Sequence, residues 1–134
     1  MSLTETCIAV TILVTTVAIA TPSLLRAREI YVLQSTARMV ESRMQSARIN
    51  AVTRNRDCRI NVTSSTSYIV ECQGTTWDTI ESITLPRGIT VTASGRQEFH
   101  EHGNVAPTAT ITVADSSGHS LHVIVNVAGR VRIQ

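Results

Sequence analysis

The chain has 134 residues, 43% of them hydrophobic, which suits one packed domain with an appendage. Aromatic residues make up only 3%, so the core must be built from Val, Ile, Leu and Ala, and aromatic cages or base-stacking platforms are disfavoured. The net charge is +2 and every basic residue is Arg; without Lys, Schiff-base and lysine-dependent phosphate chemistry fall away, and so small a charge names no partner.

From Cys7 to Leu25 the sequence CIAVTILVTTVAIATPSLL carries no charge. A helix of that length, rising ~1.5 Å per residue, nearly crosses a bilayer. A buried core helix or an uncleaved signal peptide is the alternative, but a signal peptide needs a basic start and a small-residue cleavage site, and neither precedes this run. Glu5 stands just ahead of it. A carboxylate in hydrocarbon costs several kcal/mol unless paired, so Glu5 calls for a partner. The amine of Met1, the amine of a neighbouring copy, and water at the membrane interface all qualify, and the second implies assembly. Cys7 reads as a small buried hydrophobe.

Arg26 and Arg28 follow the apolar run immediately, and the positive-inside tendency would keep that end in the cytoplasm. A bridge between Cys58 and Cys72 would instead require an oxidising compartment for the later residues. Both hold if a basic leader once preceded Met1, and such a leader is expected. Pro22 lacks an amide donor and disfavours helical geometry at Thr21, and the β-branched run VTTVAIAT weakens helix preference. A kink near Pro22, or local unwinding between Val14 and Pro22, is therefore expected.

The start M-S-L-T-E, the apolar run and A-T-P-S-L resemble the mature beginning of type IV pilins and type II secretion pseudopilins. The resemblance implies that Met1 is the processed and methylated residue, that Glu5 is the acid used in assembly, and that Pro22 is the helix proline. Thr4, Thr6 and Cys7 depart from the family's aliphatic preference, although Thr hydroxyls can bond back to helix carbonyls.

Ile30, Leu33, Ala37, Val40, Met44, Ala47 and Ala51 recur at three- and four-residue steps and draw one apolar stripe, with Arg28, Arg38, Glu41, Gln45 and Arg48 mostly off it. One long helix ending near Asn55 follows. A coiled coil is the rival, but the small Ala residues late in the stripe suit packing against a sheet.

Beyond Asn55 short β-branched runs separated by Gly, Ser, Asp and Pro predict a strand-rich head. If residues 58–63 pair with 67–72 around Ser64, Ser65 and Thr66, then Cys58 faces Cys72, Ile60 faces Val70, and Val62 faces Tyr68 on one side, while Arg59 faces Glu71 on the other. A disulfide there would contribute roughly 3 kcal/mol by the chain-entropy model. Two reduced thiols or a metal site are the alternatives. Further strands are expected at 79–85, 88–93, 110–114 and 119–127, the last with Leu121, Val123, Val125 and Val127 on one face. Turns at 115–118 and at Ala128–Gly129 lead to a strand at 130–133, with Val131 and Ile133 inward and Arg130 and Arg132 outward.

The stretch 99–103, the T-x-T-x-T-V-A-D run and I-V-N-V-A-G-R-V-R-I resemble the head of the minor pseudopilin H and fimbrial T group. That resemblance implies an α+β, type IV pilin-like fold in three parts: a hydrophobic helix at 1–25, an amphipathic helix at 26–55, and a β-rich head at 56–134. Some family members tied to DNA uptake hold DNA through a Gly-Arg-x-Arg element, here Gly129, Arg130, Val131 and Arg132. Weak, salt-sensitive phosphate binding is one reading of that element, and a solubilising charged edge strand is the favoured one.

No Ser-His-Asp, metal or phosphate signature stands out, so neither catalysis nor a cofactor is expected. His100 and His102, with Glu98 and Glu101, could ligate a metal, but capping or decorating a loop is favoured. Asn61-Val62-Thr63 matches a glycosylation sequon. The resemblance implies a subunit that polymerises through its N-terminal helix, with copies of itself or related pilins as partners, after handling by a prepilin peptidase and an inner-membrane assembly platform. It would sit in the inner membrane first and then in an extracellular filament. A minor tip subunit of a secretion or DNA-uptake filament is the other expectation, with a membrane-tethered enzyme third.

Overall fold

The computed structural model describes residues 2–134, apart from the side chains of Ile19 and Ala20. Helix α1 spans Leu3–Arg54 and is followed by eight strands. Two compact units divide the chain, Met1–Tyr31 and Val32–Gln134.

In the first unit the helix opens with a capping arrangement. Ser2 is the residue before the first turn; the amides of Glu5 and Thr6 donate to its carbonyl, and its own amide donates to Glu5 Oε2 at 3.2 Å. The helix then runs unbroken through Pro22. Residues 14–22 are helical throughout, so the expected unwinding is not seen. The threonine hydroxyls of the β-branched run turn back to the helix: Thr11 donates to Cys7 O, Thr15 to Thr11 O, Thr16 to Ile12 O and Thr21 to Val17 O, all within 2.7–2.9 Å. Each hydroxyl is satisfied within the helix, as a hydrocarbon environment demands.

In the second unit Leu33, Ala37, Val40, Met44, Ala47 and Ala51 are buried in one cluster with strand residues, as the stripe predicted. Thr36 joins them, its hydroxyl turned back to Val32 O at 2.8 Å. Ile30 lies outside this core and is exposed. The helix ends in a Schellman motif. Asn55 takes a positive φ of 51°, its amide donates to Val52 O, and the Arg56 amide reaches back to Ala51 O.

The strands are β1 (Cys58–Ser64), β2 (Ser67–Gln73), β3 (Trp77–Thr84), β4 (Ile89–Ala93), β5 (Gln97–Phe99), β6 (Thr110–Asp115), β7 (Ser120–Val125) and β8 (Val131–Ile133). They form two four-stranded antiparallel sheets, ordered β3-β2-β1-β5 and β4-β6-β7-β8, where the sequence suggested one. Two seams join them. The carbonyl of Ser65, in the β1–β2 turn, accepts the Val91 amide of β4, and Val105, bridged to Phe99 of β5, donates to Val127 O beyond β7.

The β1–β2 register is the expected one, pairing Cys58 with Cys72, Arg59 with Glu71, Ile60 with Val70 and Val62 with Tyr68. A bulge at Thr63 brings Ser64 opposite Ser67 and tightens the turn. Strand β5 was not anticipated, because only Phe99 in it is apolar. Its buried Gln97 is held by a side-chain bond to Ala109 O, which substitutes for the hydrophobic alternation that marks a strand. Val127 departs from its predicted face; β7 stops at Val125, and Val127 sits exposed in the following turn.

Candidate functional site

The first unit holds the residues expected to act in assembly. Met1 lies outside the described residues. Glu5 is one turn into α1, where its carboxylate accepts the Ser2 amide and complements the positive end of the helix dipole. Around and beyond it the apolar side chains are bare: Ile8, Ile12, Leu13, Val17 and Leu24 are all exposed. The most apolar eighteen-residue window has a mean hydropathy of 2.1 and none of it is buried, so α1 is long and apolar enough to cross a membrane. Cys7 is a free thiol on this exposed surface, not the buried hydrophobe anticipated.

In the second unit Cys58 and Cys72 form a buried disulfide on the core face of the β1–β2 ladder. On the opposite face Arg59 Nε meets Glu71 Oε2 at 2.6 Å, and the same guanidinium stacks on Trp77 with its carbon 3.9 Å from the ring centre. Glu71 is buried, so this stack closes one side of the sheet around an ion pair rather than around hydrocarbon. Trp77 as the third member was not legible, because it enters from β3 through a bulged register.

The Gly-Arg-x-Arg element occupies the β7–β8 connection and β8. Gly129 has a φ of 75°, and a side chain there would collide with the carbonyl of Gly103 and the Arg48 guanidinium. Arg48 in turn donates to Gly103 O at 3.0 Å. The glycine therefore serves packing. Arg130 is fixed through its backbone, its amide donating to Asn126 Oδ1 at 2.8 Å, while its side chain and that of Arg132 are exposed, flanking the buried Val131.

The histidine loop is regrouped relative to expectation. His100 Nδ1 lies 3.1 Å from Asp57 Oδ1, and Glu98 lies close by, whereas His102 points into solvent beside Glu101. The hydrogen bond to Asp57 raises the His100 pKa above its ordinary value; burial works against it, and the Asp57 charge, the Ala106 carbonyl and the Glu98 charge add to the rise. An open depression of 920 Å³ adjoins this group, lined among others by Asp57, Asp78, His100 and His102. Asp57 carries no sequence signal of its own; it joins the group only because β1 pairs with the unforeseen β5.

Similar folds occur in solved structures. The type IV minor pilin FimU of Pseudomonas aeruginosa matches with a TM-score of 0.64 at 16% identity, over 76% of this chain and 92% of that one. The minor pseudopilin EpsH from the type II secretion system of Vibrio cholerae matches with a TM-score of 0.66 at 11% identity, over 76% of this chain and 92% of that one. No curated protein sequence matches the chain. A long N-terminal helix followed by antiparallel sheets is thus the fold of the type IV pilin and pseudopilin superfamily. The family model described as type II transport protein GspH matches residues 36–129, and the chain belongs to that family.

Proposed function

We propose that this protein is a filament subunit that enters a pilus-like or pseudopilus assembly through the helix of its first unit. The observation that carries the reading is the bare apolar surface from Ile8 to Leu25. Such a surface is stable only in lipid or against other apolar helices, so the chain waits in the inner membrane and exchanges lipid for sister helices on assembly. Glu5 is the register device. Inside a helix bundle its carboxylate outcompetes the local Ser2 amide bond by taking a neighbour's N-terminal amine, at Met1 of that copy, a charge-assisted pair far stronger in low dielectric. Processing by a prepilin peptidase and delivery by an inner-membrane platform supply that amine and the extraction step.

The test is Glu5→Ala. Membrane insertion should survive, because removing a charge from an apolar helix favours it, while incorporation into filaments falls by roughly tenfold or more, the loss of about 1.4 kcal/mol or more per contact. Unchanged filament yield removes Glu5 from the mechanism.

A minor position in the filament is the second reading, favoured because both FimU and EpsH are minor subunits by name. Quantitative mass spectrometry of purified filaments decides it: a minor subunit is present at a small fraction of the main chain, and a bulk subunit dominates. DNA contact through Arg130 and Arg132 belongs to this second reading, supported by the exposure of both guanidiniums. Retention of DNA unaltered in Arg130→Ala with Arg132→Ala removes it.

A further inference from the structure

Strands β1 and β5 run antiparallel, with Cys58 opposite Phe99 and Arg59 opposite Glu98. Alternation sends Cys58 and Phe99 into the core, both fully buried, so Asp57, Glu98 and His100 emerge together on the other face. Their ligand atoms all lie within 4.8 Å of one another. Arg59, the natural counter-ion for Glu98, is drawn away to Glu71 and Trp77, and among the described residues no basic side chain forms an ion pair with Glu98. Two carboxylates thus share one face with a single imidazole.

The imidazole is oriented from behind. His100 Nε2 lies 3.2 Å from the carbonyl oxygen of Ala106, an atom that can only accept, which places the ring proton of the neutral form on Nε2. Nδ1 then presents a lone pair to Asp57 Oδ1 at 3.1 Å. A proton bridges these two atoms in the hydrogen bond described above, and where the imidazole is neutral a metal ion can take that proton's place between the two acceptors. The separation suits two ligands of one ion, since zinc binds imidazole nitrogen and carboxylate oxygen at ~2.0–2.2 Å, and a ring N–H given to a backbone carbonyl is the usual support of a ligating histidine.

We propose that Asp57, Glu98 and His100 form a binding site for one divalent transition-metal ion of the zinc class. The nitrogen donor separates it from magnesium and calcium sites, which are built from oxygen. Water fills the remaining position on the side of the open depression, where no further protein ligand among the described residues closes the shell. Bound there, the ion ties the segment leaving α1, through Asp57, to the loop after β5, through His100, beside the Cys58–Cys72 bridge. It acts as a second staple at the same end of the sheet.

The experiment uses the full chain in detergent micelles, in a Cys7→Ser background to remove the free thiol, stripped with a chelator and titrated with zinc chloride by calorimetry at mildly alkaline pH. One zinc per chain is expected, with a melting temperature that climbs with zinc concentration. Glu98→Gln should weaken binding by roughly tenfold or more while leaving the metal-free melting temperature unchanged, and His102→Ala should bind as the parent does. Absence of saturable binding overturns the proposal and leaves His100 and Asp57 as a simple protonated pair. Equal affinity in Glu98→Gln, dependence on His102, or tighter binding of calcium than zinc overturns it equally.

Discussion

Two stretches of one helix carry apolar side chains in opposite arrangements and meet opposite fates. Between Ile8 and Leu25 the described large apolar side chains each keep more than half their surface bare, whereas from Leu33 to Ala51 the stripe residues are 3% exposed or less. Arrangement separates them. In the first stretch apolar residues surround the helix, so no single sheet could cover them, and only lipid or a ring of other helices can. In the second they keep to one face, and the sheets of the same chain suffice. Folding stability therefore resides in the second stretch, the proposed function puts assembly in the first, and substitutions should sort accordingly.

The sharpest contrast is Met44→Ala against Leu13→Ala. Met44 is wholly buried, and its truncation should cost about 2–5 kcal/mol, read as a large fall in the denaturant midpoint of the micelle-bound chain. Leu13 is 67% exposed, and its truncation should leave the unfolding of the head unmoved. A comparable loss in both would break the division. Replacing Cys58 and Cys72 together by Ala comes next, at roughly 3 kcal/mol, the entropy released by opening a loop with a separation of 14 residues. The same loss should follow reduction of the parent chain.

Gly129→Ala should cost roughly 1–3 kcal/mol, because the site combines a positive φ with contact against the Gly103 carbonyl. Arg130→Ala, one residue on, should stay within about 0.5 kcal/mol, since only its backbone is engaged. This pair separates the packing role of the Gly-Arg-x-Arg element from any ligand role: a DNA phenotype in Gly129→Ala alone reports misfolding, and one in Arg130→Ala reports contact.

Legibility in the sequence followed the same physics. The helix stripe and the β1–β2 register were readable because burial and cross-strand chemistry repeat at fixed intervals, with Cys58 facing Cys72 and Arg59 facing Glu71 on alternate faces. The division into two sheets was not, since it rests on long-range seams such as Val91 to Ser65 that leave no local period. Strand β5 was hidden behind a buried glutamine, and with it went the grouping of Asp57, Glu98 and His100, residues separated by some forty positions and joined only by strand pairing. One long helix through Pro22 was legible as well, and only the unwinding offered between Val14 and Pro22 is not seen; the threonine hydroxyls of that run turn back to the helix's own carbonyls.

The smallest effect sharpens what burial means in the head. Tyr68 is 1% exposed and its hydroxyl is buried without a hydrogen-bond partner among the described residues. Tyr68→Phe removes only that hydroxyl, so it should be neutral or stabilise the chain by up to about 1 kcal/mol at neutral pH. The same burial pushes the phenol up to about 12 from 10.0, with Arg43 lowering it and Glu81 raising it by lesser amounts. A raised acid pKa means that the folded chain keeps a proton which the unfolded chain sheds first. Its contribution to stability is therefore complete below pH 10 and is lost as pH rises toward 12. Unfolding measured promptly after alkaline pH jumps should show that decline in the parent and not in Tyr68→Phe. If both variants lose stability alike across the window, the phenol is wetter than its burial implies, and the head's core is more open at Tyr68 than at Met44.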